Sequence, residues 1–440
     1  MRRKQAYRLM AFGSAAILLV LALGASRLSS GALHIAFLDR AHIWLCFASA
    51  VVSVLLITEF FISNRIYRGF KYFWYHWTIR NRLEHQMIDS GFGLQRGYYI
   101  IVLPKIKLFF DKDFSSGTLK VRNALKFDNK LDSVVMSSAL GKFIVERHYS
   151  TDDGNWYVYE LIDGSVSFKQ EFHGFEDFVG FSDQISLYKL FLDRRTQVKL
   201  QHCLIVGQTG SGKTYALYNL ILQMLNKTVQ YELFFADPKG SSLAVLGSKV
   251  ASDRTAVGFE NIITLLHDFV ARMQKRKTEI GELLESKLDA DYSDFGLSPY
   301  IFIFDEYASF ASVLAAADKR TRDEVKAMLY EVILQGRQLG FFMVLAMQKS
   351  DATLIDTAIR DNLPLKIVLG NAEQQTYVTA FGTGADIPNR HYAVGEGVFT
   401  EPTLAPEPKL IQCPYLNFDI LQAVIEGGLC NNPPSRIQNI

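Results

Sequence analysis

The sequence predicts an α/β fold in which a mostly parallel sheet is preceded by a two-helix transmembrane hairpin and a small α+β module. Three observations carry this prediction. Two uncharged stretches of 18 residues, 9–26 and 41–58, lie near the amino terminus. From Cys203 onward, short apolar runs alternate with apolar residues at helix spacing, as in a sheet covered on both faces. One glycine-rich octet falls between such a run and such a helix.

Composition narrows the class. At about 150 residues per domain, 440 residues fit one to three domains. Hydrophobic residues are 49% and charged residues 21%, the reverse of a disordered balance. Residues 1–89 hold 11 Lys/Arg against 4 Asp/Glu, while the remainder holds 36 against 41. The formal charge of +2 therefore divides into +7 and −5, and bulk charge does not argue for nucleic-acid binding. Any such contact must come from a local patch or an assembled channel. Cys46, Cys203, Cys413 and Cys430 form no C-x-x-C pair, so a disulfide framework and a structural zinc site are both disfavoured, and a reducing cytosol fits.

The first elements are two spans, about 9–26 and 43–63, in a hairpin over residues 1–64. Each reaches the length that crosses a hydrocarbon core of about 30 Å, the second by extending through Phe60, Phe61 and Ile62. Arg2, Arg3, Lys4 and Arg8 precede the first span, and Arg65, Arg68, Lys71, Arg80 and Arg82 follow the second. The positive-inside rule then predicts a two-pass cell-membrane protein with both termini cytoplasmic. A cleaved signal peptide is the competing reading, with Leu23-Gly24-Ala25 near a plausible cleavage point, but the second span so soon after favours the hairpin. Residues 65–89 follow as a juxtamembrane helix. Its Tyr67, Phe70, Tyr72, Phe73, Trp74, Tyr75 and Trp77 lie among cations and suit a headgroup layer.

Residues 90–170 read as a small α+β adaptor. A strand is expected from Tyr98 to Phe110, a helix from Leu131 to Leu140, and a hairpin of Phe143–Tyr149 and Trp156–Ile162 around Asp152-Asp153-Gly154-Asn155. No cluster here suggests catalysis.

The octet is Gly207-Gln208-Thr209-Gly210-Ser211-Gly212-Lys213-Thr214, which fits G-x-x-x-x-G-K-[ST]. Glycines let the backbone curl its N–H groups toward phosphate oxygens, and the following helix adds its positive end. Lys213 is expected on the β- and γ-phosphates of ATP and the Thr214 hydroxyl on Mg²⁺. The order of Cys203–Val206 as strand, the octet, then Leu217, Leu220, Ile221 and Met224 at helix spacing makes the motif specific. Ile301–Phe304 reads as a buried strand ending in Asp305, a second Mg²⁺ ligand, and Glu306, a general base for water. Further strands are expected at Leu233–Ala236 before Asp237, at Phe341–Ala346 before Gln348, and at Leu365–Leu369. Gln348 is placed to sense the γ-phosphate or orient water; the alternative is an ordinary polar strand end.

These residues resemble the FtsK/SpoIIIE group of hexameric DNA-translocating ATPases. The matching pieces are His202 to Gly207 leading into the octet, Asp237-Pro238-Lys239, Phe304-Asp305-Glu306-Tyr307, and Gly336-Arg337-Gln338-Leu339-Gly340 leading into Leu345-Ala346-Met347-Gln348. The resemblance implies a RecA-like P-loop ATPase domain, set over residues 171–417 with a tail over 418–440. It also implies DNA as partner, a homo-hexamer, and nucleotide held between subunits. The two-span start and the Gly-Arg-Gln-Leu-Gly-Phe-Phe stretch look most like coupling proteins of Gram-positive conjugative elements, which deliver a DNA–relaxase complex to channel proteins.

One departure stands out. Relatives often carry an arginine soon after the strand equivalent to Leu365–Leu369, yet residues 361–389 contain none. Arg337 and Arg360 are the candidates for a trans-acting arginine. Lys239 and Lys249 are candidate channel-loop cations, though solvated surface explains them better.

Three other readings compete. A chromosome or plasmid translocase in division or sporulation is typically longer, and the stretch from Cys413 to Ile440 is too short for a winged-helix DNA reader. A type VII-like protein-secretion motor usually carries several ATPase modules in tandem, against one octet here. A membrane scaffold with a decayed ATPase is opposed by intact Lys213, Thr214, Asp305 and Glu306.

Overall fold

The computed structural model describes residues 3–29, 36–96, 100–123, 139–285, 287–349, 355–385, 387–388 and 390–429. It divides into two compact units, Met1–Val166 and Ser167–Ile440.

The amino-terminal unit opens with α1 (Arg3–Ser29) and α2 (Ala36–Ser63), longer at both ends than the uncharged stretches alone predict. Ala6–Leu28 and Arg40–Ser63 are long and apolar enough to cross a membrane. The pair runs antiparallel. Ser49 Oγ donates to Ala15 O at 3.0 Å, His42 Nδ1 to Ala22 O at 2.8 Å, and Arg8 binds Glu59 through Nε at 2.8 Å and Nη2 at 3.0 Å. Small buried Ala6, Ala15, Ala22 and Ala25 let the backbones approach, while Phe12, Val20, Trp44, Leu55 and Ile57 face outward.

A turn through Arg65 (φ 55°) and Gly69 (φ 104°) leads to α3 (Phe70–Asp89). The aromatic cluster expected wholly in a headgroup layer divides between two faces, because each residue turns the helix by about 100°. Tyr72, Ile79, Leu83 and Met87 are buried in a core with Leu108, Phe110, Leu119, Phe143, Tyr157 and Leu161. Phe70, Trp74 and Trp77 remain exposed.

Strands β1 (Leu94–Arg96) and β2 (Ile100–Val102) pair antiparallel. The chain then enters β3 (Ile106–Phe110), so the single strand expected from Tyr98 to Phe110 is broken at Leu103–Lys105, where Pro104 has no N–H to offer a ladder. Tyr98 and Tyr99 lie outside the described residues, as does the helix expected over Leu131–Leu140 except for Ala139 and Leu140. Strands β4 (Ser116–Arg122), β5 (Phe143–Ser150) and β6 (Trp156–Asp163) complete an antiparallel sheet in the order β3-β4-β6-β5. The β5–β6 hairpin turns where Asp153 Oδ1 accepts the Asn155 N–H at 3.0 Å and Gly154 takes φ 64°.

The carboxy-terminal unit begins with β7 (Glu171–Phe172), α4 (Phe175–Ser182) and the hairpin of β8 (Lys189–Phe191) and β9 (Gln197–Lys199). Its main sheet starts with β10 (Cys203–Gly207), followed by α5 (Lys213–Asn226), β11 (Glu232–Asp237), α6 (Ser242–Val250), β12 (Thr255–Val257) and α7 (Phe259–Leu284). Next come β13 (Tyr300–Phe304), α8 (Tyr307–Ala316), α9 (Lys319–Leu339), β14 (Phe341–Met347), α10 (Thr357–Asp361) and β15 (Leu365–Leu369). Beyond α11 (Gln374–Phe381), β16 (Glu396–Glu401) and β17 (Ala405–Gln412) close the sheet.

The sheet order is β12-β11-β13-β14-β10-β15-β16-β17. The first six strands in that order are parallel, and β16 and β17 are antiparallel, so the sheet is mostly parallel as the sequence predicts. Every residue of β10 and β14 is buried, which requires cover on both faces. The residues after 417, expected as a tail, instead fold back after β18 (Tyr415–Leu416). Phe418 meets Phe175 and Phe178 edge-on, and α12 (Ile420–Glu426) buries Ala423 and Val424.

A Cβ on Gly336 would lie 2.2 Å from Phe341 O, so Gly336→Ala should lower stability by about 2 kcal/mol in urea titration. His202 is fully buried, its Nδ1 accepts the Met343 N–H at 3.1 Å, and burial pulls its pKa from 6.5 to about 3. The unfolded chain binds the extra proton between those values. Stability is therefore complete above pH 6.5 and erodes toward pH 3, on the order of 1 kcal/mol per pH unit. Urea midpoints between pH 7 and 4.5 should fall less steeply in His202→Gln than in the parent.

Candidate phosphate-binding site

The octet joins β10 to α5. Gly210 and Gly212 take φ 84° and 97°, which side-chain-bearing residues rarely adopt. A Cβ on Gly207 would lie 2.4 Å from Ser211 Oγ, and one on Gly212 would lie 2.9 Å from Gly395 N. The loop is braced from behind, since the Gly395 N–H donates to Ser211 O at 2.8 Å. Gln208, Thr209, Gly210 and Thr214 are exposed along its outer side.

Parallel strands deliver the other groups to the same edge. Lys213 Nζ lies 3.2 Å from Asp305 Oδ1 and 3.5 Å from Glu306 Oε2. Glu306 is buried and takes the left-handed conformation (φ 55°, ψ 54°) at the start of α8. Its Oε1 accepts the Gln348 N–H at 3.4 Å, so the backbone after β14 reaches the cluster while the Gln348 side chain stays exposed at its rim. Asp237 is brought to this edge in a different role. Its buried carboxylate accepts the N–H groups of Lys239 at 3.0 Å and Ser241 at 2.6 Å, fixing the turn into α6. Ser241 Oγ bridges on to Asp305 Oδ2 at 3.4 Å.

The structure thus brings together the octet, Asp305, Glu306 and Gln348. Arg337 and Arg360 are not part of that group within one chain. Arg337 is exposed in the last turn of α9, which leads into the amino end of β14, at the opposite edge of the sheet. The glycines around it serve packing, Gly336 against Phe341 O and Gly340 (φ 79°) against the Tyr292 ring. Arg360 pairs with Asp361 at 2.8 Å ahead of β15.

Sequence reasoning missed several neighbours. Arg390, one residue beyond the arginine-free stretch, pairs with Glu396 Oε2 at 3.0 Å beside Gly395. Tyr215 and Tyr415 are both partly exposed, their rings 6.1 Å apart next to Thr214. A hydrogen-bonded train also backs the loop. The Cys413 N–H donates to Gly395 O at 2.8 Å, Gln412 Nε2 to Glu396 Oε1 at 2.6 Å, and the Phe168 N–H to Gln412 Oε1 at 2.5 Å. None of these partners stands near the octet in sequence, so no local pattern announces them.

The loop fits phosphate. Gly207 and Gly212 leave no room for a side chain, and the buried Ser211 Oγ has no hydrogen-bond partner among the described residues. Thr214 and Asp305 supply hard oxygen donors of the kind Mg²⁺ takes.

Comparison with known proteins agrees. Residues 183–294 match the FtsK/SpoIIIE family, a stretch that includes the octet and Asp237 but ends before Asp305. The FtsK domain-containing protein YdcQ of Bacillus subtilis is 32% identical over 188 residues, covering 42% of this chain and 37% of that protein. The DNA translocase FtsK of Caldanaerobacter subterraneus is 24% identical over 281 residues, covering 61% of this chain and 36% of that protein. The matched regions therefore span less than two fifths of these relatives. Among solved structures, the pCW3 conjugation coupling protein TcpA, in monomer form with ATPgS, shares the fold. Its TM-score is 0.50 at 16% identity, over 80% of this chain and 98% of that one.

Glu306 is the strained residue of the site, at a cost of about 1–3 kcal/mol. Asparagine adopts the left-handed conformation more readily than glutamate. Glu306→Asn should therefore raise the thermal midpoint of this unit by about 2–3 °C. A lowered midpoint would show that the Lys213 contact outweighs the backbone term.

Proposed function

We propose that this chain, which carries an FtsK/SpoIIIE-family domain, is a membrane-anchored P-loop ATPase that drives DNA through a ring of identical subunits. Within that class we assign it the role of a coupling protein, delivering relaxase-bound DNA to a conjugative channel. The observation that carries the ATPase reading is the meeting of Lys213, Asp305 and Glu306 at the mouth of a glycine loop that admits phosphate. The DNA reading is supported by relatives named as DNA translocases and by the shared fold of a conjugation coupling protein. The two apolar helices, with large side chains turned outward, support the membrane anchor.

In this mechanism the octet backbone, from Gly207 to Lys213, binds the phosphates of ATP, and Lys213 neutralises the β- and γ-oxygens. Thr214 and Asp305 would hold Mg²⁺, which supplies positive charge to the phosphate oxygens. Glu306, its Oε1 fixed by the Gln348 N–H, takes the proton of the attacking water. Gln348, exposed at the rim, orients that water. Tyr215 and Tyr415 offer ring faces for the base. An arginine acting on a neighbour's nucleotide must lie free on the surface, which suits exposed Arg337 better than Arg360, already paired with Asp361. Sequence-neutral contact with the DNA backbone makes translocation sensitive to salt.

The test is ATP hydrolysis by the full chain in lipid nanodiscs, with and without DNA. DNA should stimulate turnover, and Lys213→Ala should lower it by about 100-fold or more. Turnover indifferent to DNA but raised by a secreted helical protein would overturn the DNA reading in favour of protein export.

A further inference from the structure

The four-stranded sheet of the amino-terminal unit buries one face under α3 and turns the other away from that core. Alternation along the strands sets the outward residues. Lys107 and Phe109 come from β3, Lys120 and Arg122 from β4, Arg147 and Tyr149 from β5, and Trp156 and Glu160 from β6. These outward residues carry four cations and one carboxylate. Glu160 is already taken by Arg147, through contacts of 2.7 and 2.8 Å.

Lys107 and Lys120 stand directly opposite each other across β3 and β4. Among the described residues neither has a carboxylate within ion-pair distance. Like charges placed so are destabilising, a local conflict that folding alone does not explain. Between them the surface dips into a depression lined by Lys107, Phe109, Lys120, Tyr149 and Glu160. Each ring on this face has a cation beside it: Arg65 lies 4.2 Å from the Phe109 centroid, Lys107 4.5 Å from Trp156, and Arg147 5.1 Å from Tyr149.

We propose that this sheet face binds a single strand of nucleic acid, with Tyr149 and Trp156 stacking bases and Lys107, Lys120 and Arg122 meeting phosphates. Aromatic rings interleaved with cations on one sheet face match unstacked bases joined by phosphates. A duplex offers the charge but no free base faces. The proposal extends the DNA-pump reading, since the strand held would be that pump's cargo, but its test needs no ATP turnover.

The test uses the full chain in neutral-lipid nanodiscs, a labelled 20-nucleotide oligothymidine and a 20-base-pair duplex, without nucleotide. The oligothymidine should bind more tightly than the duplex. Trp156→Ala should weaken it by about ten-fold. Lys107→Gln/Lys120→Gln should weaken it comparably and lower the salt slope by about 1.4, at about 0.7 per phosphate contact. Because that pair removes a repulsion, its melting temperature should hold or rise, which separates lost binding from lost folding. Unchanged affinity in both variants overturns the proposal. So does duplex binding that equals the oligothymidine and ignores Trp156→Ala, or a parent that binds anionic vesicles and no oligonucleotide. Hydrolysis measured separately, on the same protein with ATP added, keeps the two readings apart. A chain that binds through this face yet hydrolyses no ATP refutes the pump and leaves the strand site standing.

Discussion

The site depends on one constraint: six neighbouring strands run the same way, and the central β10 and β14 are buried on both faces. A strand so placed spends its backbone groups on its neighbours and its side chains on the covering helices. Only its end can present a polar group to solvent. That is why Lys213, Asp237, Asp305 and the Gln348 backbone converge although they span more than a hundred residues of sequence. The helices on this scaffold are themselves fastened by buried polar contacts. Gln223 on α5 exchanges hydrogen bonds of 2.7 and 2.9 Å with the Phe191 backbone, holding the β8–β9 hairpin against the helix that starts at the loop.

What was legible in the sequence was what local pattern encodes. A run such as Ile301–Phe304 is apolar on consecutive residues because both faces are covered, and the octet is a contiguous backbone device. The strands at 233–236, 341–346 and 365–369 emerge within a residue or so of their expected limits. What stayed hidden depends on packing between distant segments. Gly395 braces Ser211 from the turn before β16, more than 180 residues away, and Tyr415 reaches Tyr215 across two hundred. Neither has a signature of its own.

Other misses have local physical causes. Composition marked the aromatics after the second span as interfacial, but helix geometry sends Tyr72 inward and Trp74 outward two residues later. Pro104 could be read directly, yet its break was outweighed by the apolar residues on both sides. The packing role of Gly336 and Gly340 was hidden as well: their small size serves the approach of α9 to β14 and of Tyr292 to the helix end.

The hydrogen-bonded train behind the loop has one more consequence. Ser211 is tied to Gly395, Gly395 to Cys413, and the neighbouring Gln412 to Phe168, the second residue of this unit. The phosphate loop and the point where the chain enters the unit therefore share one rigid linkage of backbone and amide groups. Any shift of Ser211 is passed, as by a pushrod, to Phe168 at the start of this unit.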